Sequence, residues 1–459
     1  TKQQQLQQTS LTTKTKNIMK VKSLLFVFAA AVSFAATATA QGLFHGSTNE
    51  KITTAEGVVY GLYSDDKTAR LESGKDCTEE SYEIPQYVTG ENGTKYEVTE
   101  IWRSAFVNNR WLESITIPAS VQIVGRSAFV GCEKLKTVNA PETKLYYVGT
   151  SAFNGTPWLT DYKAKYNNEL VYWRGWVIGV SGSINSEDVM IADGTVGICN
   201  RLENVTSSLV YFPASLKFHG DSEVFDFMNN VTDFFVPKTN TSYYRELGSS
   251  VLYRRSNTYS QHGGIDLAGT GQYLVKYPVA KDVFEKYTTK KGIVGIDARA
   301  FYGAKHLKEV IVSEGVKSIG LFTFSNMPKL EYLQLPSTVE KIENSITYCK
   351  NLKTIVIQAA KKPELQINSS TFKDCSPELI IYVPANLLEE YKADKAYTYY
   401  AKEIRAIDSQ VVGVEQAKTD GGAEVEAIYS TDGTRLNAMQ RGVNIVKMSD
   451  GTVKKVMRK

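Results

Sequence analysis

The chain has 459 residues, 42% of them hydrophobic and 22% charged, with a net charge of +4. That is chain enough for a large buried core, and too little charge imbalance to call for a nucleic-acid partner. Four histidines argue against a multi-histidine metal centre, and no cofactor or metal is expected.

The chain opens with a polar stretch, residues 1–18, which reads as sequence upstream of the natural start. From Met19 a signal peptide is predicted over residues 19–40. Lys20 and Lys22 supply the positive end, Leu24 to Ala36 the apolar stretch, and Ala38-Thr39-Ala40 the small residues at the cleavage site. Cleavage is expected after Ala40, leaving Gln41 first. No later stretch is apolar enough to span a membrane, so an exported protein, secreted or at the cell surface, is predicted.

Residues 41–80 are expected to form an N-terminal β cap, and residues 81–407 a repeat array. Taking Leu112 as the start, Ile115, Ile117, Pro118, Val121, Val124, Gly125, Ala128, Phe129 and Cys132 follow, and Leu135 begins again 23 residues on. Leu307, Val310, Val312, Val316, Ile319, Gly320 and Phe324 repeat the pattern, with Leu330 and Leu352 opening further copies. The L-x-x-I-x-I run predicts a short strand with alternate residues inward, which proline ends because it cannot donate to a ladder. Glycine suits a tight turn, and Ala-Phe and Cys fill the interior. One such unit cannot bury its apolar side alone, whereas stacked units can. The predicted fold is a β-rich solenoid with a parallel sheet along one face. Insertions are placed at about 156–190 and 246–290, a linker at 408–424, and a small β tail at 425–459. The register is weakest over 196–236, where "VGICNRLENV" lacks the Ala-Phe pair.

This pattern resembles the BspA-like leucine-rich-repeat family of bacterial surface proteins, relatives of the treponemal repeats. The resemblance rests on "LESITIPASVQIVGRSAFVGCEKLKTV" (Leu112–Val138) and extends over roughly residues 55–407. "TPWLTDYKAKYNNELVYWRGWVIGVSG" (Thr156–Gly182) and Ser249–Phe301 resemble the family's lengthened repeats with an inserted hairpin. "IYVPANLLEEYKADKAY" (Ile381–Tyr397) resembles its closing unit. The last residues, with "YSTDGTRL", "RGVNIVK" and "KKVMRK", are similar to short C-terminal sorting tails of exported Bacteroidetes proteins. These likenesses imply a monomeric, non-catalytic surface protein that adheres to host proteins or other cells.

Ser127 lies in G-R-S-A-F, which lacks the second glycine of a nucleophile elbow, and it recurs with the repeat, so an architectural role is expected. Cys132 has no histidine nearby in sequence. The other cysteines, Cys77, Cys199, Cys349 and Cys375, show no C-x-x-C spacing and read as buried, unpaired thiols. Asp65-Asp66 and Asp432-Gly433 lack a calcium-loop ligand run and read as turns. His262 reads as a loop residue.

Two sets of residues are candidates for ligand binding. Trp158, Trp173, Trp176 and Tyr172 cluster in the first insertion, where exposed rings could stack on a sugar, or buried ones could pack the hairpin onto the solenoid. Thr116, Asn139, Tyr211, Tyr332 and Gln334 belong to the outward strand positions, with Ser114, Thr137, Glu309, Ile311, Thr354 and Val356, and are expected on one continuous exposed sheet. Three functions follow: adhesion through the repeat surface, glycan capture for nutrient uptake through the tryptophan hairpin, and an enzyme, for which no catalytic constellation is visible. The partner is expected to be an extracellular protein or glycan.

Overall fold

The computed structural model divides the chain into two units, residues 1–43 and 44–459. It describes Thr48 and residues 50–458, except 141–144, 220–221, 226–229, 247, 256–270, 283, 367–371, 395–396, 398–402, 408–424, 431–434, 437–441 and 449–452. The upstream stretch 1–18, the signal segment with Ala40 and Gln41, the 408–424 linker, His262 and Asp432 lie outside the described residues.

The described part of the second unit is a β-solenoid. In the turn that starts at Leu112, strand Ser114–Thr116 forms one side and strand Ile123–Val124 a second. The third corner, residues 127–132, is made of successive tight turns. Leu112, Ile115, Ile117, Val121, Val124, Ala128, Phe129 and Cys132 are all fully buried, as the spacing requires. Asp66 has the expected turn role, its carboxylate accepting from Thr68 N at 3.1 Å and Thr68 Oγ1 at 2.7 Å.

The expected parallel sheet face is present, and a second side of the solenoid carries parallel pairing as well. Ser114–Thr116 pairs with Thr137–Asn139, and Ile123–Val124 pairs with Lys95–Ile101 and Tyr147–Val148. One expectation needs correction: the first side is not one continuous sheet. Its strands fall into three sheets, one ending at Thr137–Asn139, one running from Asp188–Met190 to Asp233–Phe235, and one from Lys286–Thr288 to Ile404–Ala406. The breaks fall at the two insertions.

Both insertions solve the same problem in the same way. Each carries a hairpin whose returning strand takes a second-side position. Trp176–Ser181 pairs in parallel with Gly197–Ile198, and Gln272–Lys276 with Ile293–Ile296. The second hairpin is pinned by Arg254, whose Nε and terminal nitrogen donate to the two Asp297 oxygens at 2.9 and 3.1 Å. Both side chains are buried, and the guanidinium lies 4.0 Å from the Tyr273 ring centroid.

At the front, Lys51–Thr53, Val59–Tyr63 and Thr68–Ser73 form an antiparallel meander whose last strand pairs in parallel with Lys95–Ile101. Near the far end, the short helix Leu388–Ala393 buries Tyr391 against Tyr397, with ring centroids 5.0 Å apart. The tail strands Val425–Tyr429, Arg435–Leu436, Gly442–Met448 and Val453–Arg458 form a separate antiparallel sheet.

The third corner repeats without strand geometry. Phe106 N–H donates to Ala128 O at 2.7 Å, and Phe129 N–H to Ala152 O at 2.7 Å. The rings of Phe106, Phe129 and Phe153 consequently stack, each pair with centroids 5.3 Å apart. Gly125 is not at a left-handed position. A Cβ there would lie 2.5 Å from Arg103 N in the preceding turn, so close approach excludes a side chain. The left-handed residue comes two positions later, at Ser127 with φ 54°, and recurs at Ser104, Ser151, Arg299 and Phe322.

Phe129→Ala should lower stability by about 3–5 kcal/mol in chemical denaturation, because it removes the middle ring of a close-packed stack. Ser127→Gly should raise stability slightly, by up to about 1 kcal/mol, by relieving the left-handed backbone. A loss for the glycine variant would contradict the assigned conformation.

Candidate functional site

The tryptophans of the first insertion are interior. Trp158, Trp173 and Trp176 are at most 8% exposed. Phe153, the last ring of the front stack, meets Trp158 at 4.7 Å and Trp173 at 5.2 Å. Trp176 packs edge-on to Tyr147 at 5.5 Å and lies over Gly197, where a Cβ would sit 2.3 Å from its ring. Tyr172 is partly buried, and its hydroxyl accepts from Ala192 N at 3.0 Å. These rings plug the place where the regular stack stops, so they offer no platform to a sugar.

The outward strand candidates are spread over all three first-side sheets. Thr116 and Asn139 are neighbours in register on the first. On the third, Tyr332 hydroxyl donates to Gln334 Oε1 at 2.8 Å, and Gln334 Nε2 donates to Gln358 Oε1 at 3.3 Å. Val356, expected outward and exposed, is only 1% exposed; it lies in register between Gln334 and Tyr382. Tyr211 lies on the middle sheet, far along the array from both pairs.

Tyr211 has company that the sequence reading missed. It is in register with Met190 on one side and Phe235 on the other. Met190 is 62% and Phe235 50% exposed, and the Tyr211 and Phe235 ring centroids are 5.2 Å apart. Two positions earlier on the outer strands stand Asp188 and Asp233, the latter accepting from Arg245 at 2.7 and 2.8 Å. The signal was available in "VMIA", "VYFP" and "FFVP", each an inward-outward-inward triplet ahead of a turn. It falls in the stretch whose register the missing Ala-Phe pair obscures.

The nucleophile candidates are poorly placed for chemistry. Cys132 is fully buried, its Sγ donates to Phe106 O at 3.0 Å, and burial pushes its thiol up to about 11. A thiol held protonated in that way is a weak nucleophile. Cys199, which directly follows the second-side strand Gly197–Ile198, is also buried, its Sγ donating to Val177 O at 3.4 Å. Among the described residues no three His, Cys, Asp or Glu side chains converge as a metal site. A cleft of about 350 Å³ at the front meander is lined by Lys51, Arg70, Glu72, Trp102 and Arg103 among others. Glu72 is ion-paired there to Lys51 at 2.5 Å and Arg70 at 2.8 Å, and Arg70 stacks on Trp102 at 3.7 Å.

Trp176→Ala should destabilise the fold by about 3–5 kcal/mol, because it opens a cavity where the stack is interrupted. Thermal denaturation of the variant measures this. An unchanged midpoint would show that the ring is not structural.

Against this geometry, the sequence matches the model of the BspA type leucine rich repeat region in six copies, over residues 95–171 and 279–392. No curated protein matches the chain. Similar solved structures include a leucine-rich repeat protein from Eubacterium ventriosum, 17% identical, covering 74% of this chain and 78% of that one with a TM-score of 0.37. A leucine rich cell surface protein from Faecalibacterium prausnitzii is 20% identical, covering 79% and 95% with a TM-score of 0.37. The pneumococcal vaccine antigen PcpA is 17% identical, covering 79% and 100% with a TM-score of 0.32. The buried positions and the two-sided turns fit the matched copies, so residues 95–171 and 279–392 carry the BspA type leucine rich repeat.

Proposed function

We propose that this chain is an exported cell-surface binding protein, without catalytic activity, that adheres to host proteins or other cells through the outward strand face of its repeats. The observation that carries the reading is the row Met190, Tyr211 and Phe235 on three successive strands, with Met190 and Phe235 exposed on either side of the half-buried Tyr211. A repeat array has no packing reason to put Met and Phe outward on neighbouring turns, and burying each fully would contribute about 1.5–3 kcal/mol. Aromatic residues and methionine are enriched where proteins meet, and the carboxylates beside the row supply a polar rim. The predicted signal segment 19–40 and the sorting-like tail 425–459 support surface delivery. Among the described residues no helix is long and apolar enough to cross a membrane.

Glycan capture keeps one specific support, the Tyr211–Phe235 pair, which could stack on a pyranose where the tryptophans cannot.

The test compares the purified protein with a Met190→Ser, Tyr211→Ser, Phe235→Ser variant on panels of immobilised matrix proteins and polysaccharides. At least a tenfold loss of binding to a matrix protein is expected, with the melting temperature unchanged. Undiminished binding by the variant would move the site off this row, and binding confined to polysaccharides would replace adhesion to proteins by glycan capture.

A further inference from the structure

The five cysteines are all free thiols, yet they are not equivalent. Cys132 stands three residues after its spine residue Phe129. The corresponding places in the neighbouring turns, after Phe106 and Phe153, are Asn109 and Thr156. No second sulfur is next to it in the stack. Cys349 and Cys375 differ. Cys349 follows Ile346 by three residues, and Cys375 follows Phe372 by three. Phe372 N–H donates to Ile346 O at 2.8 Å, and Tyr348 N–H donates to Lys373 O at 2.7 Å. These bonds fix the two corners in adjacent register, so the cysteines occupy the same place in successive turns. Stacked backbones are about 4.8 Å apart, within the roughly 4.4–6.8 Å between Cα atoms that a disulfide spans.

The shared corner register makes the two thiols neighbours, and they are unlike in access. Cys349 is fully buried, and its Sγ donates to Phe324 O at 2.9 Å, as Cys132 does to Phe106 O. Cys375 is partly exposed. The neighbouring Cys375, and then burial, shift the Cys349 thiol upward, while the neighbouring Cys349 lowers that of Cys375.

We infer that Cys349 and Cys375 are a modification site, an inter-turn disulfide that forms when the protein meets an external disulfide oxidant. The oxidant is either a small-molecule disulfide or the disulfide of a thioredoxin-like protein. The Cys375 thiolate attacks one sulfur of the oxidant, expelling the other half as a thiol and leaving a mixed disulfide on Cys375. The Cys349 thiolate, released from Phe324 O by side-chain rotation, then attacks Cys375 Sγ and expels the second half as a thiol. The protein gives up two electrons and two protons, and the oxidant takes them. The order follows from access, since only Cys375 can be reached from solvent and Cys349 is placed to resolve. The cross-link ties together turns near the end of the array, just before the closing helix Leu388–Ala393, where stacking neighbours run out.

The experiment incubates the purified full chain with oxidised glutathione, then alkylates it in denaturant and maps peptides by mass spectrometry. The expected product is lighter by two hydrogens and carries a peptide pair joined through Cys349 and Cys375, with Cys77, Cys132 and Cys199 alkylated. Cys375→Ser should abolish the cross-link with the fold intact, and Cys349→Ser should instead accumulate the glutathione adduct on Cys375. The cross-linked protein should also melt at a higher temperature than the reduced one. Alkylation of all five cysteines after oxidation, or a cross-link through any other pair, would overturn the inference.

Discussion

Backbone stacking of one turn upon the next is the constraint from which the rest of the array follows. Parallel pairing on two sides and turn-to-turn bonds at the third corner force equivalent residues into rows. Phe106, Phe129 and Phe153 become a continuous ring stack because their backbones are in register. Gly125 must be glycine because the preceding turn comes within contact distance of where a Cβ would be. The cysteine thiol is held by the phenylalanine carbonyl of the turn before, which satisfies a polar atom that would otherwise be buried alone.

The same constraint explains the departures from the repeat. Where the first insertion removes the usual neighbour, a side chain supplies the missing partner. Ser127 N–H donates to Thr150 O at 3.0 Å, but Ser151, facing the first insertion, donates to Asn200 Oδ1 at 2.7 Å instead. Asn200 Nδ2 reaches back to Ile178 O at 2.7 Å, so one amide joins the front block to the hairpin. Asn109 and Asn240 do comparable work, each donating to two carbonyls and accepting from two backbone N–H groups. The tryptophan cluster is the apolar counterpart, filling with large rings the volume that a further phenylalanine turn would have occupied.

The inward residues were legible in the sequence because they recur at fixed spacing. Leu112, Ile115, Ile117 and Phe129, and Leu307, Val310 and Phe324, are all interior. The second sheet was hidden because strands such as Ile123–Val124 are two residues long, too short for an alternation to show. The left-handed corner was hidden because Ser, Arg and Phe occupy it at different turns, with no glycine to mark it. Of the candidate tryptophans, Trp158 and Trp173 meet around Phe153, while Trp176 packs against Tyr147 and Phe218. Two readings were open in the sequence, an exposed platform or packing of the hairpin onto the solenoid, and their burial supports the packing. Tyr211 was visible, but Met190 and Phe235 were not, because their turns lack the Ala-Phe pair that sets the register.

That blind spot has a physical cause with a bearing on function. Stacking constrains what points inward and leaves the outward positions almost free, so the outward residues carry little periodicity for a sequence reading to find. Most of them are small, hydroxylic or charged, such as Ser114, Thr137 and the Lys286–Glu309 pair at 3.1 Å, as a solvated sheet favours. Met190, Tyr211 and Phe235 run against that preference on three consecutive strands, in a block where the inward pattern is also at its weakest. The fold neither requires nor benefits from an apolar row in water. It is on this row, in the middle block, that the proposed adhesive function rests.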